Sequence, residues 1–269
     1  MTAAISPRGR RDPRVPRVLL PCLLAAGLLP LTGCAALGLE HPATAPHPLP
    51  TADASSPAPK AADGGDGSAL TDAQARAALL TETDLGAPWS PTRGAATWRD
   101  GLLKATTASA ECQRLLDVLY TDELLGAPAR VAAGLDDADT DAQLRHQIGT
   151  RRRADVDAFL AWLRTMPERC ARFTAATGRG AAEDVRVSGA PLPEVGDARQ
   201  GLRLTVATTT PDGAPALLTL DVAAVRVGED SFALTNGGLG DVPNDATQAA
   251  VQIGALRLAE VRRQGRAQV

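Results

Sequence analysis

The sequence predicts an α+β domain, a mainly antiparallel sheet covered by helices, and three observations carry that prediction. Segments of period-two alternation crowd the last hundred residues or so, separated by turns too short for a crossover helix. Segments with apolar residues three and four apart stand before, between and after the strand-like segments. An even pair of cysteines, Cys112 and Cys170, lies far apart within the same stretch. Ahead of this domain the chain reads as a signal peptide over 1–33 and a disordered tether over 34–69, which leaves 70–269 for one folded unit without internal repeats.

Arg8, Arg10, Arg11, Arg14 and Arg17 form a cationic start, and Val18 to Leu31 form an apolar run of about fourteen residues. A membrane span needs about twenty residues at 1.5 Å rise each, so this run is too short for one and has the length of a secretory signal core. Its end, Leu31-Thr32-Gly33-Cys34, resembles the bacterial lipoprotein box, in which the cysteine thiol takes a diacylglycerol before cleavage at its amino side. Cys34 is then the lipidated first residue of the mature chain. Two or three acyl chains, at about 0.8 kcal/mol per buried methylene, hold a protein stably at a membrane. The expected location is the outer face of the cell membrane. Asp12-Pro13 after Arg10-Arg11 departs from the twin-arginine export pattern, so that pair counts as ordinary cationic charge.

From Ala35 to Ala69, Pro42, Pro46, Pro48, Pro50, Pro57 and Pro59 stand among Ala, Thr, Ser and Gly without any apolar periodicity. Such a segment stays disordered, and its length spans about 30 to 35 Å root mean square. His41 and His47 read as solvated tether residues rather than metal ligands.

Removal of 1–33 takes away five Arg and one Asp, leaving 23 basic against 30 acidic side chains, a net charge near −7. Nucleic-acid binding needs clustered cations, so it is a poor match. Arg151-Arg152-Arg153, the densest positive run, reads as a solvated strand end beside a helix start. Cys22 leaves with the signal and Cys34 carries lipid, so the domain keeps Cys112 and Cys170. Outside the cell such a pair reads as a disulfide, with two buried free thiols as the alternative. Closing a loop of about sixty residues contributes about 4 kcal/mol in the chain-entropy model. There is no CxxC spacing, hence neither a redox motif nor a zinc knuckle.

Within the domain, a first helix is expected after Thr71-Asp72, capped by a side-chain oxygen, and running to about Leu80. "ECQRLLDVLY" is a second helix with Cys112, Leu115, Leu116 and Leu119 on one stripe. "ARVAAGL" from Ala129 and "AQLRHQIGT" from Ala142 are strands. In the latter, Leu144, His146 and Ile148 share one face while Gln143, Arg145 and Gln147 share the other. A third helix from about Ala154 turns Val156, Phe159, Leu160 and Leu163 inward, and Pro167 should break or kink it before Cys170. "DVRVS", "GLRLTVATT", "ALLTLDVAAVRV" and "SFALT" follow as strands, with turns at "PDGAP" and "GED". A closing helix spans about Asp245 to Arg263.

This order, with "LTETDLGAPW", "FLAWLRTMPERC" and "VRVGEDSFALT" at their places, resembles the actinobacterial sensor-domain lipoproteins, which are similar to the extracellular domain of PknH-type receptor serine/threonine kinases. The resemblance covers roughly Leu70 to Arg263. It implies a mixed sheet with a cleft, a disulfide joining Cys112 to Cys170, and sensing or binding of an extracellular ligand. This chain carries no kinase and one cysteine pair where some members have two.

Motifs for chemistry are scarce. His146 is the single histidine after the tether, and no serine sits in a GxSxG turn, so a base-activated nucleophile lacks its parts. There is no HExxH and no GxxxxGK[ST]. "TNGGLGD" at 235–241 lacks phosphate-loop spacing and reads as a strand-to-helix turn. Asp137 to Asp141 imitates the start of a calcium loop, but Ala142 and Ile148 stand where Gly and Glu are required. His146 reads as a core histidine, with a pH-sensing role as the alternative. The expected function is a non-catalytic ligand-binding or sensor lipoprotein that needs no cofactor or metal. Its partners are the membrane, through the Cys34 anchor, and an unidentified small molecule, lipid or envelope component. Recognition of an envelope protein or wall polymer is the alternative, and a carboxylate-only enzyme of the glycosidase kind is a third possibility.

Overall fold

Alternation along the predicted strands is realised as one sheet in the computed structural model, which describes residues 70–267 apart from 95–97, 179 and 211. The expected signal peptide, Cys34, the tether and its histidines lie outside the described residues. The sheet comprises β1 (Trp89–Pro91), β2 (Ala105–Thr106), β3 (Val131–Asp137), β4 (Gln143–Gly149), β5 (Arg172–Thr177), β6 (Ala182–Gly189), β7 (Ala198–Thr209), β8 (Pro215–Val227) and β9 (Asp230–Leu239). Their order is β1-β3-β4-β9-β8-β7-β6-β5-β2, and every neighbouring pair is antiparallel.

Five α-helices flank the sheet: α1 (Asp72–Ala77), α2 (Glu82–Leu85), α3 (Ala110–Tyr120), α4 (Arg153–Arg169) and α5 (Asn244–Ala267), with a π-helical turn at Arg99–Leu103. Thr71 caps α1 in a reciprocal box with Gln74, and the Ser109 hydroxyl accepts from the Cys112 N–H at the start of α3. On one sheet face, Leu115, Leu116 and Leu119 of α3 and Phe159, Leu160 and Leu163 of α4 meet Leu202, Leu204, Val206, Leu218, Leu220 and Val222. On the other, Ala250, Val251 and Leu258 of α5 meet Leu144, Ile148, Ala223, Val225, Phe232 and Leu234. The two central strands are therefore buried on both sides, which explains why β8 reads as an almost continuous apolar run. Each fully buried Leu or Phe contributes about 1.5–3 kcal/mol to this packing.

Cys112 and Cys170 form a disulfide that joins α3 to the end of α4, with Cα atoms 5.6 Å apart. The paired-thiol expectation is met and the free-thiol alternative is excluded.

Four local expectations are corrected. The first helix ends at Ala77, where Ala78 caps it, because Leu80 turns inward and its N–H bonds His146. Pro167 sits inside α4 and does not break it; its missing N–H removes one bond in the last turn, and the Cys170 N–H to Met166 carbonyl bond closes the helix beyond it. Residues 235–239 of "TNGGLGD" continue β9, and the turn begins only at Gly240. A Cβ on Gly237 would lie 2.5 Å from Leu220 Cδ1, so that glycine admits a close neighbour rather than making a turn. Strands β1, β2 and β5 were not expected; the first two are very short and "RFTAAT" lacks a run of branched side chains.

We predict that replacing Cys112 and Cys170 together by Ala lowers unfolding stability by about 4 kcal/mol. Urea titration of oxidised protein and double variant checks this, and equal midpoints would refute a stabilising role for the bridge.

Candidate functional site

Helix α5 packs on β8 and β9, and α4 packs on the opposite face against β6, β7 and β8. No helix covers the α5 side of β5, β6 and the second half of β7, whereas the start of β7 is covered by the 190–197 connection, where Leu192 lies over Gly201. Arg172 and Thr174 of β5, Ala182 and Arg186 of β6, and Ala207 and Thr209 of β7 are all exposed there, while their alternate neighbours Ala175, Val185 and Val206 are buried on the other face. A trough of about 700 Å³ lies along these strands, bounded also by Phe173, Glu183, Asp184 and Thr208. Its floor is hydrogen-bonded sheet, a rigid platform for side chains. The Asp184 carboxylate lies 3.7 Å from Arg172 Nε and 3.4 Å from Arg186 Nη2, so its charge is held between two cations. Leu217 of β8, opposite Ala207 in register, adds a large apolar group that is 41% exposed.

Further along β7 and β8, Asp221 anchors the start of α5. This carboxylate is fully buried and accepts from Arg203 Nε at 2.6 Å and Nη2 at 2.9 Å, from Asn244 Nδ2 at 2.6 Å and from Thr247 Oγ1 at 3.0 Å. Arg203 Nη2 also donates to the Val242 carbonyl at 2.9 Å, which draws the connection before α5 down to β7. Hydrogen bonding to Asp221 raises the Arg203 pKa.

The structure separates the residues singled out from sequence. His146 is buried under α5, where its Nδ1 accepts from the Leu80 N–H at 3.2 Å and its ring meets Phe232 edge-on at 5.1 Å. Burial, with Arg257 nearby, pushes its pKa down to about 3 against the opposing pull of Asp84, so it stays neutral at physiological pH. The pH-sensing alternative near neutrality is thus corrected: a charged imidazole has no water to solvate it there. Arg152 and Arg153 pair with Asp155 and Asp157 at the start of α4, in line with a solvated run. Asp137 begins the β3–β4 turn, its carboxylate accepting from the N–H of Asp139 and Thr140. None of these residues lines the trough.

Sequence reasoning missed Glu183, a trough-lining residue that is 1% exposed and stands opposite buried Ala175; both its oxygens lack hydrogen-bond partners among the described residues. Burial raises its pKa to about 7. The signal was present: extending the β6 alternation back from Val187 and Val185 places Glu183 on the apolar face.

No family model and no curated protein matches the sequence. Among solved structures, the chain is similar to the extracellular domain of PknH from Mycobacterium tuberculosis, with a TM-score of 0.42 and 11% identity over 72% of this chain and 97% of that one. This is a distant likeness that assigns neither ligand nor activity.

His146 and Glu183 make opposite predictions about pH. Unfolded His146 binds a proton below about 6.5 and the folded form only near 3, so its stabilising share is full above pH 6.5 and is lost as pH falls through that window. Folded Glu183 keeps its proton up to about 7 whereas the unfolded carboxyl loses it near 4.5, so stability is lost as pH rises between them. From pH 7 to 5 each amounts to about 2 kcal/mol, with opposite signs. Glu183→Gln should therefore lose about 2 kcal/mol relative to wild type over that interval, and His146→Gln should gain as much. Denaturant titrations at the two pH values test both, and parallel profiles for all three proteins would contradict the assignments.

Proposed function

We propose that this chain is an extracytoplasmic, lipid-anchored binding domain that recognises a polar ligand on the uncovered face of β5–β7 and carries out no chemistry on it. The observation that carries this reading is the trough itself: half of one sheet face lacks a helix and presents mixed polar and small apolar side chains on a rigid floor. The disulfide fits an oxidising compartment. Of the two carboxylates that line the trough, Glu183 is buried and Asp184 is engaged by two arginines, which argues against a pair of free carboxylates for catalysis. Attachment to the membrane falls, in this reading, to Cys34. A second reading, docking of an envelope protein or wall polymer on the same face, is favoured by the open form of the trough and by exposed Leu217.

Two experiments test the proposal. Cys34→Ser should shift the protein from the membrane to the soluble fraction, and retention on membranes would overturn the anchor. Native mass spectrometry of the protein purified from its own host should show a mass excess that disappears after denaturation and refolding, and that is absent from Thr174→Trp, in which an indole fills the trough. A mass equal to the bare chain would overturn small-molecule binding and favour the envelope partner.

A further inference from the structure

The antiparallel registers lay the trough out as a grid. Across it, Thr174 of β5 stands opposite Asp184 of β6, Asp184 opposite Ala207 of β7, and Ala207 opposite Leu217 of β8. Two residues along, in the direction of Asp221, Arg172 stands directly opposite Arg186. Both arginine side chains are exposed, at 63% and 57%. Like charges set directly opposite one another on a sheet face are destabilising, so the fold itself gains nothing from this pairing. Their shared partner compensates only in part: Arg186 Nη2 donates to Asp184 at 3.4 Å, while Arg172 Nε, at 3.7 Å, stands beyond hydrogen-bond reach. Each guanidinium carries five N–H groups, and on this pair only Arg186 Nη2 has an acceptor among the described residues.

The two arginines converge. Because both approach the one Asp184 carboxylate, their N–H edges flank a single spot over β5 and β6, where an oxyanion meets both forks at once. The charge at that spot is positive: two guanidinium groups face one carboxylate, and among the described residues no other carboxylate comes within ion-pair distance of either. Glu183 is 1% exposed, and burial raises its pKa to about 7, so below that pH it adds little charge. Arg203, on the next row, has Asp221 and Asp241 around it. Its strand β7 is two strand spacings, about 10 Å, from β5, roughly one Debye length at physiological ionic strength. Asp212 lies in the β7–β8 turn beyond Thr209, further still along the strands. The positive surplus is therefore local to the β5–β6 side of the trough.

The rest of the trough suits an apolar body. On the side of the arginines away from Asp221, the exposed positions are Thr174, Ala182, Ala207, Thr209 and Leu217. A sheet face made for water alone is polar at its outward positions, whereas here alanines and a leucine stand among threonines. At about 700 Å³ the trough is also far larger than a bare oxyanion and falls in the range of about 300–1,000 Å³ that small-molecule sites occupy. Ala207 is the diagonal neighbour of Arg186, and Leu217 lies next to it on β8, so a path of about 12 Å leads from the arginines to the leucine. An octyl chain covers that path. We propose that the trough holds an amphipathic anion, with its carboxylate or phosphate head on Arg172 and Arg186 and its aliphatic body over Ala207 and Leu217. This rests on the reading of the trough as a binding site and names the class of ligand it takes.

The test uses the intact chain at about pH 6, where Glu183 keeps its proton, with ionic strength held constant by chloride. Calorimetric titration is run with sodium octanoate and separately with mono-octyl phosphate, each below its micellar concentration. At least one should bind, and which one does identifies the head group. Acetate, inorganic phosphate and octan-1-ol, the heads and the tail alone, should each bind at least about tenfold more weakly than that amphiphile. Arg172→Gln and Arg186→Gln should each weaken its binding by at least about tenfold while melting no lower than wild type without ligand, since each removes one of two opposed like charges. Arg164→Gln, which removes the same charge from an exposed position of α4, should leave the affinity unchanged. Binding of neither amphiphile, equal affinity in wild type and both trough variants, or an equal loss in Arg164→Gln overturns the proposal. A native mass excess abolished by Thr174→Trp would still stand in that event, so the failure of this ligand class is separable from the failure of the trough as a site.

Discussion

Asp221 is the constraint on which the arrangement of the covered and uncovered sheet depends. A carboxylate with no exposure survives in a fold only when its lone pairs are met, and removing a partner from such a buried pair costs about 3–5 kcal/mol. Here the donors come from β7 and from the first turn of α5, so satisfying one β8 side chain also fixes where α5 begins. Asn236 of β9 joins through Thr247, at 3.2 Å, which extends the same network across a third strand. Because α5 must start at this node, it runs over β8 and β9 and leaves β5, β6 and the second half of β7 without a helix. The trough is thus a by-product of where one negative charge is neutralised.

The same accounting distinguishes the two halves of the sheet. Around Asp221, and again where Arg257 holds Asp84 and the Leu79 carbonyl, most polar groups under α5 are matched, with His146 Nε2 and Asn236 Oδ1 left without a partner among the described residues. Under α3 and α4 the match is poorer: Glu183 has acceptors without donors, and Arg145, Gln147 and Ser231 have donors without acceptors. These groups sit at opposite sides of the sheet in strand order and cannot satisfy one another. Since folded proteins leave few buried polar groups unpaired, the uneven distribution marks the α3 and α4 layer as the place where the chain departs from pure structural economy.

Much of this was legible in the sequence. Alternation placed Leu144, His146 and Ile148 on one face of β4 and gave β7 and β8 their pairing partners, because period two is enforced wherever one face is buried. The stripe of Cys112, Leu115, Leu116 and Leu119 gave α3, and the cysteine count gave the bridge. The trough was not legible, because it depends on which strands α5 fails to cover, a matter of helix placement rather than of residue pattern. The unpartnered donors of β4 escaped for a related reason: Arg145 and Gln147 have the alternation of a solvent face, and only the segment after α3, where Asp122 meets Arg145 and Leu125 lies over Gly149, turns that face inward. Glycines at 237 and 238 misled because glycine signals both turns and close approach, and sequence alone does not separate the two.

The edges of the sheet carry a consequence for recognition. Both edge strands, β1 and β2, come from residues 89–106, and they hold three and two residues. They pair with one end of β3 and of β5, leaving Val131–Ala133 and Arg172–Ala175 without an edge partner among the described residues. Three or four residues with an arginine at the tip of one stretch make a poor template for an incoming strand. An extended peptide or a second copy of the chain therefore finds little backbone to continue, and sequence-tolerant strand addition is suppressed along with fibre-like self-association. Selectivity in this domain is consequently a property of side chains on the faces, where a substitution changes which molecule is held without altering how the sheet is stitched.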